Sequence, residues 1–176
     1  MPNNQSKILC FIGDGEGKTS AAIGHAVRAA GHGKKVSVIQ FLKGKIICGE
    51  YKFLTKTPDI DIILSGEPSF VFGNTPKDPH IKKAKEGLAK AKEMISSGKY
   101  SLIVLDEVLD AHSAGLIEIK EISDIIDIAK ENLVHLILTG RVLPPEISTK
   151  VDLITQMKKI KHYYDKGEKG IEGLDW

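Results

Sequence analysis

The chain has 176 residues, 41% of them apolar, which suffices for one domain with a substantial buried core. Its 25 basic and 23 acidic residues are interspersed and leave a net charge of +2, so no strong field exists to hold nucleic acid or an anionic membrane. The start "MPNNQSK" lacks an apolar signal core, no apolar run approaches the roughly 20 residues of a membrane span, and Cys10 and Cys48 make no metal-ligand spacing, so the expectation is a reduced, cytoplasmic protein.

The first apolar run, "KILCFI" at 7–12, reads as a buried strand containing Cys10. It leads into "GDGEGKTS" at 13–20 and then a helical run, "AAIGHAVRAAGHG". Further strands are expected at "KVSVIQFL" 35–42, "DIDIIL" 59–64, "SLIVLD" 101–106, "VHLILT" 134–139 and "DLITQMKKI" 152–160, with Cys48 in a loop or at a helix start. Their Val/Ile/Leu-rich, barely alternating composition is that of strands covered on both faces, hence a mostly parallel sheet of about six strands. Ile81, Ala84, Leu88, Ala91 and Ile95 recur at helical spacing within 80–97, and Ile119, Ile122, Ile126 and Ala129 within 118–131. The alternation predicts one doubly wound α/β domain over 1–176, with helices on both faces of the sheet. The stretch "SGEPSFVFGNTPKDP" at 65–79 reads as a long loop of the functional kind.

In open α/β sheets ligands bind at the carboxyl ends of the strands, here 12–20, 42–50, 64–78, 106–114 and 139–146. In the first of these, a dinucleotide fingerprint fails because its third glycine would fall on Lys18. A phosphate cradle needs converging backbone N–H groups, a helix N-terminus, a lysine and a hydroxyl for Mg²⁺. Gly13, Gly15 and Gly17 relieve the steric limits, Lys18 supplies charge and Thr19 the hydroxyl, although the usual first glycine is replaced by Ile12. Glu16 is compatible with anion binding if its side chain projects away from the cradle. The alternative is a strand–turn–helix junction that merely needs glycines, and it is weakened by "LIVLDE" at 102–107, where Asp106-Glu107 ends an apolar strand as a Mg²⁺-holding carboxylate does. MgATP or MgGTP binding is thus expected. Three classes remain open at this point: a kinase or ATPase, a nucleotide-gated binding module, and a transferase that uses another part of ATP. With Arg28 and Arg141 as its two arginines, the chain offers no arginine-bearing lid of the phosphoryl-transfer kind.

The motifs "GDGEGKT", "RAAGHGKKV" at 28–36, "QFLKG" at 40–44, "GE" at 49–50, "VLDE" at 104–107, "LTGR" at 138–141, "PPE" at 144–146 and "KHYYDKGEKGIEGLDW" at 161–176, in that order, resemble the ATP:corrinoid (cob(I)alamin) adenosyltransferases of the CobA/CobO/BtuR type. The resemblance runs almost end to end and implies a P-loop NTPase-like (RecA-like) domain. It implies attack by Co(I) of a reduced corrinoid on the 5′ carbon of ATP, with release of triphosphate. It further implies that Gly13, Asp14, Gly15, Glu16, Gly17, Lys18, Thr19 and Ser20 cradle the triphosphate of a reversed nucleotide, with Lys18 stabilising the departing charge. Thr19, Asp106 and Glu107 would hold Mg²⁺ or Mn²⁺, and Arg28 and Arg141 would contact the nucleotide. Phe70 and Phe72 would pack on the corrin as an aromatic-x-aromatic loop, and the tail 161–176, through Lys161, His162 and Asp165, would cover the site. An electron-donating flavoprotein reductase and a homodimer are also implied. Family loops usually carry lysine where this chain has Glu16.

Overall fold

The computed structural model describes residues 5–44, 48–68 and 78–176. The elements in chain order are β1 (Ile8–Ile12), α1 (Lys18–Gly31), β2 (Val36–Phe41), α2 (Gly49–Leu54), β3 (Ile60–Ser65), α3 (Asp78–Ser96), β4 (Leu102–Asp106), α4 (Val108–Ser113), α5 (Ile119–Glu131), β5 (His135–Gly140), α6 (Pro145–Ser148) and β6 (Leu153–Gln156). The six strands form one sheet in the order β3-β2-β4-β5-β1-β6, and every pairing is parallel. All strand carboxyl ends therefore share one edge, where the expected ligand segments converge.

Strand periodicity sends alternate side chains to opposite faces. Ile39 and Phe41 of β2 join Ile8, Cys10, Ile103, Leu105, Leu136 and Leu138 under α3 and α5, where Leu88, Ile95, Ile122, Ile125 and Ile126 complete the larger core. Val36 and Val38 face the other way, with Phe11, Val104 and Ile137, against Ala22 and Ala26 of α1 and Leu54 of α2. Helices thus cover both faces, as the composition predicts. No helix among the described residues is long and apolar enough to cross a membrane.

The structure corrects the reading of the last strand. Only Leu153–Gln156 of the expected 152–160 pairs with the sheet, and all four residues are exposed. β6 is the sheet edge beyond β1, and it falls outside both buried clusters. The expectation that every strand is covered on both faces holds for β2 and β4, which are buried throughout, and fails for β6.

Candidate functional site

β1 ends at Ile12, and the loop that follows is shaped by close approach of another chain segment. Gly13 has φ +114°, and a Cβ there would lie 2.2 Å from the carbonyl oxygen of Met157; one on Gly15 would lie 2.9 Å from the same oxygen. The reason is that residues after β6 run directly over the loop: Met157 N donates to Ile12 O (2.8 Å) and Gly15 N donates to Met157 O (2.9 Å). Gly17, at φ +99°, then starts α1, which carries no side-chain cap and no acidic residue in its first turn. The positive end of a 14-residue helix is left open toward an anion.

Thr19 and Asp106 meet across the sheet. Thr19 Oγ1 donates to Asp106 Oδ1 at 2.9 Å, and Thr139 Oγ1 on β5 donates to the same oxygen at 2.8 Å. The other oxygen, Oδ2, accepts from Gln40 Nε2 at 3.2 Å and lies 3.4 Å from Lys43 Nζ. Asp106 is fully buried, and its two oxygens serve donors from α1, β5 and the end of β2. The Thr139 hydroxyl in turn accepts the Glu107 backbone N–H at 2.7 Å. Sequence reasoning found Thr19 and Asp106. Gln40, Lys43, Glu50 and Thr139 carry no signal of this role in the sequence, because no spacing shows that they converge.

Lys43 also pairs with Glu50 Oε1 at 3.4 Å, and Gln40 Nε2 reaches that atom at 3.3 Å. The Gln40 amide is thus oriented by two carboxylates, which leaves its buried Oε1 with no hydrogen-bond partner among the described residues. Leaving such an acceptor unpaired costs about 1–3 kcal/mol. Leu42 and Glu107, directly after two strand ends, both hold positive φ, +61° and +60°. For non-glycine residues this conformation costs on the order of 1–3 kcal/mol, and such strain clusters at functional sites. The turn at Leu42 carries Lys43 back over the sheet edge to Asp106.

The charges are set by these neighbours. Burial works against the Lys43 ammonium, but Asp106, Glu107 and Glu50 together outweigh it and hold its pKa above the ordinary lysine value. Burial pushes the Glu107 carboxyl up to about 7 against the pull of Lys43, with Asp106 and Asp110 adding to the rise. Lys18 is shifted down, first by burial and then by the nearby charge of Arg141; its Nζ donates to Gly15 O at 2.6 Å.

Beside this cluster opens a cavity of about 910 Å³. Thr19, Ser20, Ile23 and Val27 of α1 form one wall, Lys43, Glu50 and Glu107 another, and Gly173–Trp176 close the side. Arg141 belongs to the neighbourhood: its backbone oxygen accepts from Gly13 N at 3.1 Å and its N–H donates to Asp110 Oδ1 at 2.8 Å. Arg28 is exposed in the last turn of α1, one residue past Val27, and does not line the cavity. Phe70 and Phe72 lie outside the described residues.

Asp14 and Glu16 engage the tail. Asp14 Oδ1 accepts from Lys159 N at 3.1 Å, while Glu16 Oε1 lies 2.9 Å from His162 Nε2 and 3.1 Å from the Tyr163 hydroxyl. His162 Nδ1 accepts from Tyr164 N, so the neutral ring carries its proton on Nε2, facing Glu16. The Tyr163 hydroxyl also contacts Asp175 Oδ1. Lys159 pairs with Asp165 at 2.8 Å. Of the three expected tail residues, His162 reaches the loop directly, Asp165 does so through Lys159, and Lys161 is exposed.

The model of the family described as ATP:corrinoid adenosyltransferase BtuR/CobO/CobP matches residues 4–176. The chain belongs to this family. It is 32% identical over 170 residues to a corrinoid adenosyltransferase of Pseudomonas aeruginosa, covering 96% of this chain and 83% of that one. Relatives with the same description from Sinorhizobium sp and Escherichia coli K12 are each 29% identical over 170 residues, which is 96% of this chain and 79% and 85% of theirs. Membership accords with the observed sheet, an all-parallel P-loop NTPase-like arrangement in which β5 separates the strand leading into the loop from the strand ending in Asp106.

Proposed function

We infer that this chain transfers the 5′-deoxyadenosyl group of ATP to Co(I) of a reduced corrinoid. The cobalt electron pair forms the Co–C bond as the C5′–O bond breaks, and the leaving pair departs with triphosphate. The observation that carries the reading is the Thr19–Asp106 bond, which joins the open N-terminus of α1 to the acidic end of β4 on the wall of a cavity of about 910 Å³. Co(I) is itself a strong nucleophile, so the chemistry asks the protein for positioning and for stabilisation of the leaving group rather than for a base. Lys18 and the N–H groups at the start of α1 supply that stabilisation, since those of Gly13 and Gly15 already donate to Arg141 O and Met157 O.

The donor set fits Mg²⁺, which takes hard oxygen ligands and is held by few protein groups beside substrate phosphates. The Thr19 hydroxyl hydrogen is committed to Asp106, which leaves its lone pairs available to a cation. Both Asp106 oxygens already serve protein donors, so Asp106 orients Thr19, and Thr19 with Glu107 on the cavity wall would hold the ion. Bound there, Mg²⁺ would neutralise charge on the leaving triphosphate; Mn²⁺ suits the same donors. Arg141 adds positive charge beside the loop, and Arg28 would reach only a nucleotide extending past Val27. Phe70 and Phe72, which lie outside the described residues, are assigned to the corrin. Residues 161–176 cover the cavity. The protein is taken to work in the cytoplasm as a homodimer supplied with electrons by a flavoprotein reductase.

Anaerobic incubation with MgATP and cob(I)alamin should give adenosylcobalamin and triphosphate in equal amounts. Formation of ADP or orthophosphate without a Co–C bond would point to a kinase or ATPase, and ATP binding without turnover to a binding module.

A further inference from the structure

We propose that Lys43 is a second cation for the triphosphate, one whose charge is shared between the carboxylates of the metal site and the nucleotide. The proposal rests on the cavity beside Thr19 being the triphosphate site. Lys43 Nζ lies 3.4 Å from both Asp106 Oδ2 and Glu50 Oε1, and the residue also lines the cavity wall. Thr19 is bonded to the other oxygen of the same Asp106 carboxylate. A divalent cation drawn to Thr19 and Glu107 therefore sits close to the ammonium and repels it, while a polyphosphate in the cavity attracts it.

The surrounding structure allows the side chain to respond while its backbone stays in place. A Cβ on Gly44 would lie 2.4 Å from the backbone of Glu67, so the segment is pinned under Glu67–Pro68. Gln40 Nε2 holds Asp106 and Glu50 together independently of Lys43. Two carboxylates bridged by one amide retain their geometry when the ammonium leaves. Lys43 then balances Asp106, Glu50 and Glu107 until metal and polyphosphate arrive, and turns to the polyphosphate when they do.

This exchange has an effect of opposite sign on two ligands, which a purely structural lysine would not produce. Lys43→Met should bind Mn²⁺ alone about tenfold more tightly, since one positive charge close to the carboxylates is gone, and should bind inorganic triphosphate at saturating Mg²⁺ about tenfold more weakly. Lys43→Arg should restore triphosphate binding. Glu50→Gln keeps an acceptor for Gln40 and removes one charge holding Lys43, so triphosphate should bind about threefold more tightly. Calorimetry on the full chain, with inorganic triphosphate and Mn²⁺ as probes, reads all of these. Unchanged or weaker Mn²⁺ binding in a folded Lys43→Met variant, unchanged triphosphate binding there, or weaker triphosphate binding in Glu50→Gln would overturn the proposal. If Lys43→Met does not fold, Glu50→Gln alone decides. Failure of the unsubstituted chain to bind triphosphate would instead sink the site assignment on which the proposal rests.

Discussion

The two sides of the cavity are built differently. On one side Thr19, Asp106 and the residues around them stand on α1, β2, β4 and β5, and Asp106 is fully buried with each oxygen engaged. On the other, the segment after Met157 contains no fully buried residue, and exposed polar contacts help tie it down: Asp14 to Lys159 N, Glu16 to His162, and Tyr163 to Asp175. Buried, fully satisfied polar groups hold a fixed geometry, whereas exposed pairs contribute about 1 kcal/mol or less each. The contrast teaches that the wall around Asp106 is rigid, while the tail wall is held loosely enough to open.

The largest test is Asp106→Ala. It takes the acceptor from the Thr19 and Thr139 hydroxyls and leaves Gln40 and Lys43 with Glu50 alone, and we expect a loss of about 3–5 kcal/mol in denaturant-measured stability together with loss of transfer activity. A variant of unchanged stability would mean that the two walls do not differ as described. Next, Lys18→Ala should lower kcat by about 10²–10³, as removal of a preorganised electrostatic contact does, with little change in melting temperature. An unaffected kcat would remove Lys18 from the leaving-group role.

Ending the chain after Glu172 removes the Gly173–Trp176 wall. We expect KM to rise about tenfold for the nucleotide or the corrinoid, with stability changed by about 1 kcal/mol or less, since only exposed contacts are lost. A large stability loss would show that the tail is part of the core.

Acid should separate the walls without any substitution. Hydrogen bonds from Lys159 N to Asp14, from Ile8 N to Asp152 and from Tyr163 to Asp175 hold these three carboxyls below their ordinary values. A carboxylate whose folded pKa is depressed stabilises the structure above its unfolded pKa, and that contribution is lost as pH falls through the folded value, so the tail loosens below about pH 4. Trp176 is the sole tryptophan, and its emission should shift to the red at a higher pH than that at which far-ultraviolet circular dichroism is lost. Coincident transitions would mean that tail and core unfold as one unit. The smallest effect is expected for Glu16→Lys, which breaks the contacts to His162 and Tyr163: cleavage of residues 157–176 by protease should speed up several-fold, with kcat nearly unchanged. Equal cleavage would mean that Asp14 and Asp152 suffice to hold the tail.

Much of the fold is readable from local pattern. Each of the first five expected strands lies within one residue of its observed bounds, and α3 and α5 match their apolar spacing closely, because a face buried by a long regular element imposes its period on the residues. β6 falls short of its expected span because "DLITQMKKI" is apolar enough for a strand but runs along an exposed edge, where composition says little about pairing. The short helices α2, α4 and α6 span four to six residues, too few to show a period.

The sequence by itself determined the loop: three alternating glycines, a lysine and a threonine between a strand and a helix are a local pattern with a local cause. Part of that cause emerged only in three dimensions, since Gly13 and Gly15 also make room for Met157, more than 140 positions away. Tertiary structure alone decided which groups meet Asp106. That meeting depends on the order β2-β4-β5-β1, which brings Gln40, Lys43, Thr139 and Thr19 to one carboxylate, and strand order is set by how whole faces pack rather than by any short stretch of chain.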